Sequence, residues 1–192
     1  MAKRIGILGG SFNPLHMGHL SIAQAAQEKC KLDKVIFVPT YLPPHRKIKR
    51  LASAKDRYEM VRLGVKNNSL FEISDFEIKR KGKSFTIDTV IHFEESFPKG
   101  TKLFFIVGAD NFSELHTWKN IDEILKIVSF IVVNRPGFKI PKKNFKYHVV
   151  TMPGMEICAS YIRRVITQGQ SIKYLVPEAV FRYIKKNRLY KQ

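Results

Sequence analysis

Only two cysteines, Cys30 and Cys158, occur in 192 residues. That is too few for a disulfide framework, and a reduced, cytoplasmic chain is the default expectation. No stretch reaches the ~18 consecutive apolar residues of a membrane-spanning helix, so no membrane partner is expected. Met1-Ala2-Lys3-Arg4 runs directly into a strand pattern rather than into the apolar region of a signal peptide. Acidic residues are scarce: 16 Asp and Glu stand against 34 Lys and Arg, a formal net charge of +18. Tandem repeats, low-complexity blocks and linkers are lacking too. The length suits one domain over 1–192, and 44% hydrophobic residues supply a core without cross-links.

Several signatures are missing. The dinucleotide fingerprint G-x-G-x-x-G is absent, because the first strand ends as Gly6-Ile7-Leu8-Gly9-Gly10. Gly82-Lys83-Ser84 looks like the end of a Walker A motif, but the glycine required five residues earlier is Glu77. Zinc-ligand spacing is absent, so no metal site built from protein ligands is expected. The excess positive charge admits three readings: nucleic-acid binding, anionic small substrates, or a lysine-rich composition. Lysines are dispersed, with small clusters at Lys79-Arg80-Lys81 and Lys142-Lys143, and aromatic-interleaved basic stripes are missing. A basic nucleic-acid-binding protein is therefore the distant alternative, and nucleic acid is not the expected partner.

What is present alternates between strand and helix. Lys3–Leu8, Lys34–Pro39, Lys102–Val107 and Val128–Asn134 read as buried strands, Asn134 being followed by Arg135-Pro136-Gly137. Phe71–Ile78 reads as a half-exposed strand and Tyr147–Met152 as a last one. Leu20–Cys30 has a helical stripe through Leu20, Ala23, Ala26 and Cys30. Ser53 with Asp56 forms a capping box for a helix whose stripe is Tyr58, Val61 and Val65. Thr86 or a neighbour caps a helix carrying Ile87, Val90, Ile91 and Phe97. C-terminal helices begin at about 159, one near Ser160–Gln168 and one near Pro177–Asn187. The alternation predicts an α/β fold, a Rossmann-like doubly wound, mostly parallel sheet in a single domain. Ligands of such sheets sit beyond the carboxyl ends of the strands, which marks residues 9–19, 39–47, 108–118 and the turn before Ser160.

The densest group of special residues is "GILGGSFNPLHMGHL", residues 6–20, with four glycines, Asn13-Pro14, and His16 and His19 three apart. Glycines after a strand allow positive φ and close approach of backbone to a ligand, and the helix start beyond them attracts anions. Two imidazoles beside such a turn can donate hydrogen bonds to phosphoryl oxygens.

These residues resemble the H-x-G-H nucleotidyltransferase superfamily and, within it, the bacterial nicotinate-nucleotide adenylyltransferases. "GGSFNPLHMGHL" is similar to the superfamily's phosphate loop, and "VPTYLPPHR" (38–46) to a P-P-H-[KR] loop. "SFTIDTV" (84–90) is similar to a [SP]-Y-T-x-D-T element, and "FIVGADNFSELHTWKNIDEIL" (105–125) to a G-x-D…W segment. "EICASYIR" (156–163) stands at the I-S-S-T-x-I-R position, and "YLVPEAVFRYIKKNRLY" matches the C-terminal tail. Six blocks in family order span nearly the whole chain. One departs: Cys158 and Ala159 replace two serines, while Ser160 and Arg163 remain.

The resemblance implies adenylyl transfer from ATP to nicotinate mononucleotide, giving nicotinate adenine dinucleotide and pyrophosphate in NAD biosynthesis. Nicotinamide mononucleotide or another phosphorylated acceptor is the alternative. It assigns His16 and His19 to catalysis. ATP falls to Gly9, Gly10, Ser11, Phe12, Gly108, Asp110, Ser160 and Arg163, and the acceptor nucleotide to His45, Arg46, Thr86 and Trp118. Read from the residues alone, Asp110 could instead cap a helix, Trp118 could pack in the core, and Arg163 could make a surface ion pair. The resemblance also implies Mg²⁺ carried with ATP rather than held in a carboxylate cage, ATP and nicotinate mononucleotide as partners, and leaves homo-oligomerisation open.

Overall fold

The computed structural model describes residues 2–44, 50–134, 137–154 and 156–191. Six strands form one sheet: β1 (Arg4–Gly10), β2 (Lys34–Pro39), β3 (Phe71–Ile73), β4 (Lys102–Gly108), β5 (Val128–Val133) and β6 (Tyr147–Val150). Their order is β3-β2-β1-β4-β5-β6, and every pairing is parallel. Around the sheet lie α1 (Met17–Lys29), α2 (Ala54–Val65), α3 (Phe76–Arg80), α4 (Thr86–Ser96), α5 (Ala109–Ser113), α6 (Ile121–Ile127), α7 (Ala159–Thr167) and α8 (Glu178–Lys186). This is the Rossmann-like architecture the alternation predicts.

Successive strand side chains divide between two cores. Leu8, Val35, Phe37, Phe104, Ile106, Ile131 and Val133 pack against α1, α2, α7 and α8. Ile5, Ile7, Ile36, Val38, Phe105, Val107, Phe130 and Val132 pack against α4, α5 and α6. Helices on both faces explain why the strands are continuous apolar runs. Chain order reverses between β1 and β4, so the crevice outside their carboxyl ends, at Gly10 and Gly108, is the fold's natural ligand position.

The structure revises several sequence expectations. Phe71–Ile78 is not one strand: pairing with β2 stops at Ile73, and α3 follows. Tertiary contacts decide this, because Phe76 stacks on His92 of α4 at 3.9 Å and Thr89 Oγ1 donates to buried Glu77 Oε1 at 2.6 Å. In α2 the buried stripe is Arg57, Met60, Val61 and Val65, with Tyr58 at its edge. β1 runs through both glycines, Gly9 facing Val38 and Gly10 facing Pro39. α1 begins at Met17, ahead of Leu20, with His16 as its N-cap. Thr86 lies inside α4, whose N-cap is Phe85 and lacks a side-chain bond, while Ser53 does cap α2, accepting from the Asp56 amide at 3.0 Å. β6 ends at Val150, short of Met152. Among the described residues, no helix is long and apolar enough to cross a membrane.

Candidate active site

The loop from Ser11 to Leu15 leaves β1 and enters α1. Neither Gly9 nor Gly10 has a positive φ; the left-handed residue is Phe12, at φ 44°. The glycines serve close packing instead. A Cβ on Gly9 would lie 3.2 Å from the Phe105 ring, and one on Gly10 3.3 Å from the Phe12 ring. Phe12 is buried and meets the His19 ring edge-on at 5.0 Å.

The two histidines form one unit. Their rings stack at 3.7 Å with an interplanar angle of 26°. The His16 amide donates to His19 Nδ1 at 3.3 Å. An Nδ1 that accepts leaves the proton of the neutral ring on Nε2, so this bond presents His19 Nε2–H as a donor. His16 is buried at 6% exposure, whereas His19 is half-buried. Gly18 makes room for the His16 ring, since a Cβ there would sit 3.1 Å from His16 Nδ1, with the Ile157 carbonyl in ordinary contact at 3.6 Å.

Arg163 enters from α7 and donates Nη1 to the Asn13 carbonyl at 2.7 Å; burial lowers its pKa, with Tyr190 and Cys158 opposing. Its observed partner is not a surface carboxylate: the guanidinium grips the backbone of the 11–15 loop. Ser160 is exposed, and its hydroxyl stands 3.1 Å from Cys158 Sγ. Across the crevice, β4 delivers Gly108 as the N-cap of α5 and Asp110 to its first turn. A Cβ on Gly108 would lie 2.5 Å from Asp110 Oδ1, so the glycine makes room for that carboxylate.

The residues assigned to the acceptor form a separate group. Trp118 is half-buried with its edge against Phe105 (5.6 Å) and Phe130 (6.1 Å), so it packs on the core while keeping part of its surface open. Lys119 Nζ lies 4.8 Å over the Phe85 ring, which brings the Trp118 turn alongside Thr86 at the start of α4. The Tyr41 amide donates to Ser84 Oγ at 2.9 Å, and the Ser84 amide to the Leu42 carbonyl at 3.0 Å, so the loop after β2 joins the same edge. His45 and Arg46 lie outside the described residues.

Sequence reasoning missed Arg57. It is 1% exposed and donates to the carbonyls of Ala52 (3.0 Å), Ser11 (3.0 Å), Thr40 (2.5 Å) and Tyr41 (2.8 Å). It ties the 11–15 loop to the loop after β2. Burial lowers its pKa, with Tyr190 and Glu77 opposing. The only sequence signal was a cation at an apolar-stripe position of α2. Buried Glu77 was missed because its strand assignment was wrong; burial raises its pKa, and hydrogen bonds from Ser84 and Thr89 oppose the rise. Among the described residues, no group of three or more His, Cys, Asp or Glu side chains is arranged to hold a metal ion.

Residues 7–165 match the cytidylyltransferase-like family model. Similar proteins include one from Desulfitobacterium hafniense (strain Y51), 44% identical with 98% of this chain and 96% of the relative covered, and one from Thermoanaerobacter sp. (strain X514), 44% identical with 98% and 95% covered. Both are named probable nicotinate-nucleotide adenylyltransferase. Among solved structures, the Plasmodium falciparum nicotinic acid mononucleotide adenylyltransferase complexed with NaAD superposes with a TM-score of 0.84 at 23% identity, covering 98% of this chain and 97% of that one. At that identity the superposition speaks for the fold.

Proposed function

The chain belongs to the cytidylyltransferase-like family, among its nicotinate-nucleotide adenylyltransferases, and from that membership we propose that it converts ATP and nicotinate mononucleotide into nicotinate adenine dinucleotide and pyrophosphate. A phosphate oxygen of the mononucleotide attacks the α-phosphorus of ATP, and the bond to the bridging oxygen of the β-phosphate breaks. The attacking phosphate is already ionised at neutral pH, so no general base is required. Catalysis rests on positioning and on stabilising charge at the α-phosphate.

The observation that carries this reading is the stacked His16–His19 pair at the start of α1, beside the β1–β4 crevice. His19 Nε2–H serves as the α-phosphate donor and His16 supports it. Gly9, Gly10, Ser11 and Phe12 shape the loop beneath the triphosphate. Arg163 keeps further N–H groups for the β- and γ-phosphates besides the one given to Asn13, and Ser160 adds a hydroxyl. Asp110 takes the ribose hydroxyls. Thr86 and Trp118 receive the nicotinate, and His45 and Arg46 the acceptor's phosphate. Apart from Asp110, the crevice residues named are donors and cations, which fits Mg²⁺ arriving with the triphosphate; bound there, it would neutralise phosphate charge. The reduced Cys30 and Cys158 suit a cytoplasmic setting.

The test is pyrophosphate release with ATP, Mg²⁺ and either acceptor. Nicotinate mononucleotide should react much faster than the amide. Equal rates would overturn the acid preference while leaving adenylyl transfer standing, and no release with either would overturn the function.

A further inference from the structure

Asn13 is fully buried, and three separated segments converge on it. Its Nδ2 donates to the Arg50 carbonyl at 3.1 Å, and its Oδ1 accepts from the Ala52 amide at 3.0 Å. Its backbone carbonyl accepts from Arg163 Nη1 at 2.7 Å. The remaining position on Oδ1 is filled from 177 residues away, by the Tyr190 hydroxyl at 2.7 Å. Tyr190 lies near the C-terminus, yet it is only 7% exposed.

The chain bends sharply to bring it there. After α8, Arg188 adopts φ 50° and the Leu189 amide returns to the Ile184 carbonyl at 3.1 Å; Tyr190 itself has φ 65°. Left-handed conformations are unfavourable for non-glycine residues. Arg50 and Phe12, on either side of the Asn13 hub, are left-handed as well, at φ 58° and 44°. α8 is anchored independently, because Tyr183 donates to Asp56 Oδ1 at 2.9 Å. The Tyr190 insertion is therefore not needed to dock α8. Burial raises the Tyr190 pKa, against the pull of Arg163 and Arg57, so the hydroxyl remains a donor throughout the neutral range.

We propose that Tyr190 is a positioning residue for the phosphate loop: its hydroxyl fixes Asn13, and Asn13 sets both Phe12, whose ring abuts His19, and the Arg163 guanidinium. The C-terminal tail thereby completes the ATP subsite without touching substrate. The inference rests on the adenylyl-transfer reading above, and it predicts which substrate suffers when the hydroxyl is lost.

The test is Tyr190→Phe, which keeps the ring and removes one oxygen. With the wild-type protein assayed alongside, kcat/KM for ATP should fall about tenfold, the scale of a modest misplacement of reacting groups. KM for nicotinate mononucleotide should rise less than KM for ATP, because among the described residues Thr86 and Trp118 make no hydrogen bond to Asn13, and the Asn13 Nδ2 bond to the Arg50 carbonyl does not use the Tyr190 hydroxyl. A thermal-shift titration with ATP alone provides a second readout, and ATP should stabilise the variant less than the wild type. A kcat/KM for ATP within twofold of wild type overturns the proposal. So does an equal loss toward both substrates accompanied by an unchanged ATP-induced shift, which is the pattern of a purely structural contact. A wild-type protein that releases no pyrophosphate would strike the functional reading instead, and the ATP thermal shift would then decide the latch by itself.

Discussion

The backbone amide of His16 donates to Nδ1 of His19 at 3.3 Å while the two rings stack at 3.7 Å. One histidine thus sets the tautomer of the other. The pair holds the His19 ring in one orientation, which suits a reaction whose charge develops at a phosphoryl group.

His19→Ala should lower kcat by roughly 10²-fold or more, the usual scale for one lost oxyanion donor. A finer test follows from the tautomer. A glutamine amide reaches about as far as Nε2, whereas an asparagine amide stops near Nδ1. His19→Gln should therefore retain more turnover than His19→Asn in a pyrophosphate-release assay. The reverse ranking would assign the donor to the wrong nitrogen.

Gly108 has φ −75°, a value any residue adopts, so its substitution tests contact alone. A Cβ there meets Asp110 Oδ1 at 2.5 Å and must turn the carboxylate aside. Gly108→Ala should raise KM for ATP about fivefold, the equivalent of one ordinary hydrogen bond, with KM for the acceptor nearly unchanged. Steady-state kinetics with each substrate varied in turn would show it, and an unaltered ATP KM would remove Asp110 from the ribose site.

Arg57→Met leaves the partly buried carbonyls of Ser11, Thr40 and Tyr41 without their guanidinium donor. The expected cost is about 3 kcal/mol, which corresponds to roughly 6–12 °C in Tm for a domain of this size. Calorimetry that places the variant within 2 °C of the wild type would show that these bonds contribute little.

Glu77 is 4% exposed, and burial holds its carboxyl above the ordinary value. A group whose pKa is raised on folding favours the native state fully below its unfolded pKa, and that contribution is lost as pH rises through the folded pKa. Glu77→Gln removes the ionisation and keeps the shape. The difference in Tm, variant minus wild type, should be more positive at pH 8 than at pH 4. A difference that is flat or opposite in slope would mean that Glu77 gains a compensating partner when it ionises.

The elements that could be read from the sequence are those whose signals lie within a few residues. Ser53 and Asp56 announce the start of α2, and the apolar runs at Lys34–Pro39 and Val128–Val133 announce buried parallel strands. Gly-Gly followed by H-x-G-H lies at the crevice between β1 and β4, where the proposed function puts the ligand. The alternation of Phe71–Ile78 fits an amphipathic strand, but its second half is folded into α3 by Phe76 on His92 and by Glu77 with Thr89. Positive φ falls to Phe12 and not to Gly9 or Gly10, and the two glycines make room for aromatic rings.

The sequence by itself determined the alternation of strands and helices, the two-faced burial and the residues most apt for phosphate chemistry, because periodicity, capping and glycine spacing are local properties of the chain. Only the tertiary structure decided that Arg57 collects four carbonyls, that Arg163 grips the loop backbone, and that Tyr190 closes on Asn13. Those contacts join segments that no local pattern connects. They exist because burying one polar group obliges the fold to bring it partners, and where those partners come from is settled by how the layers pack.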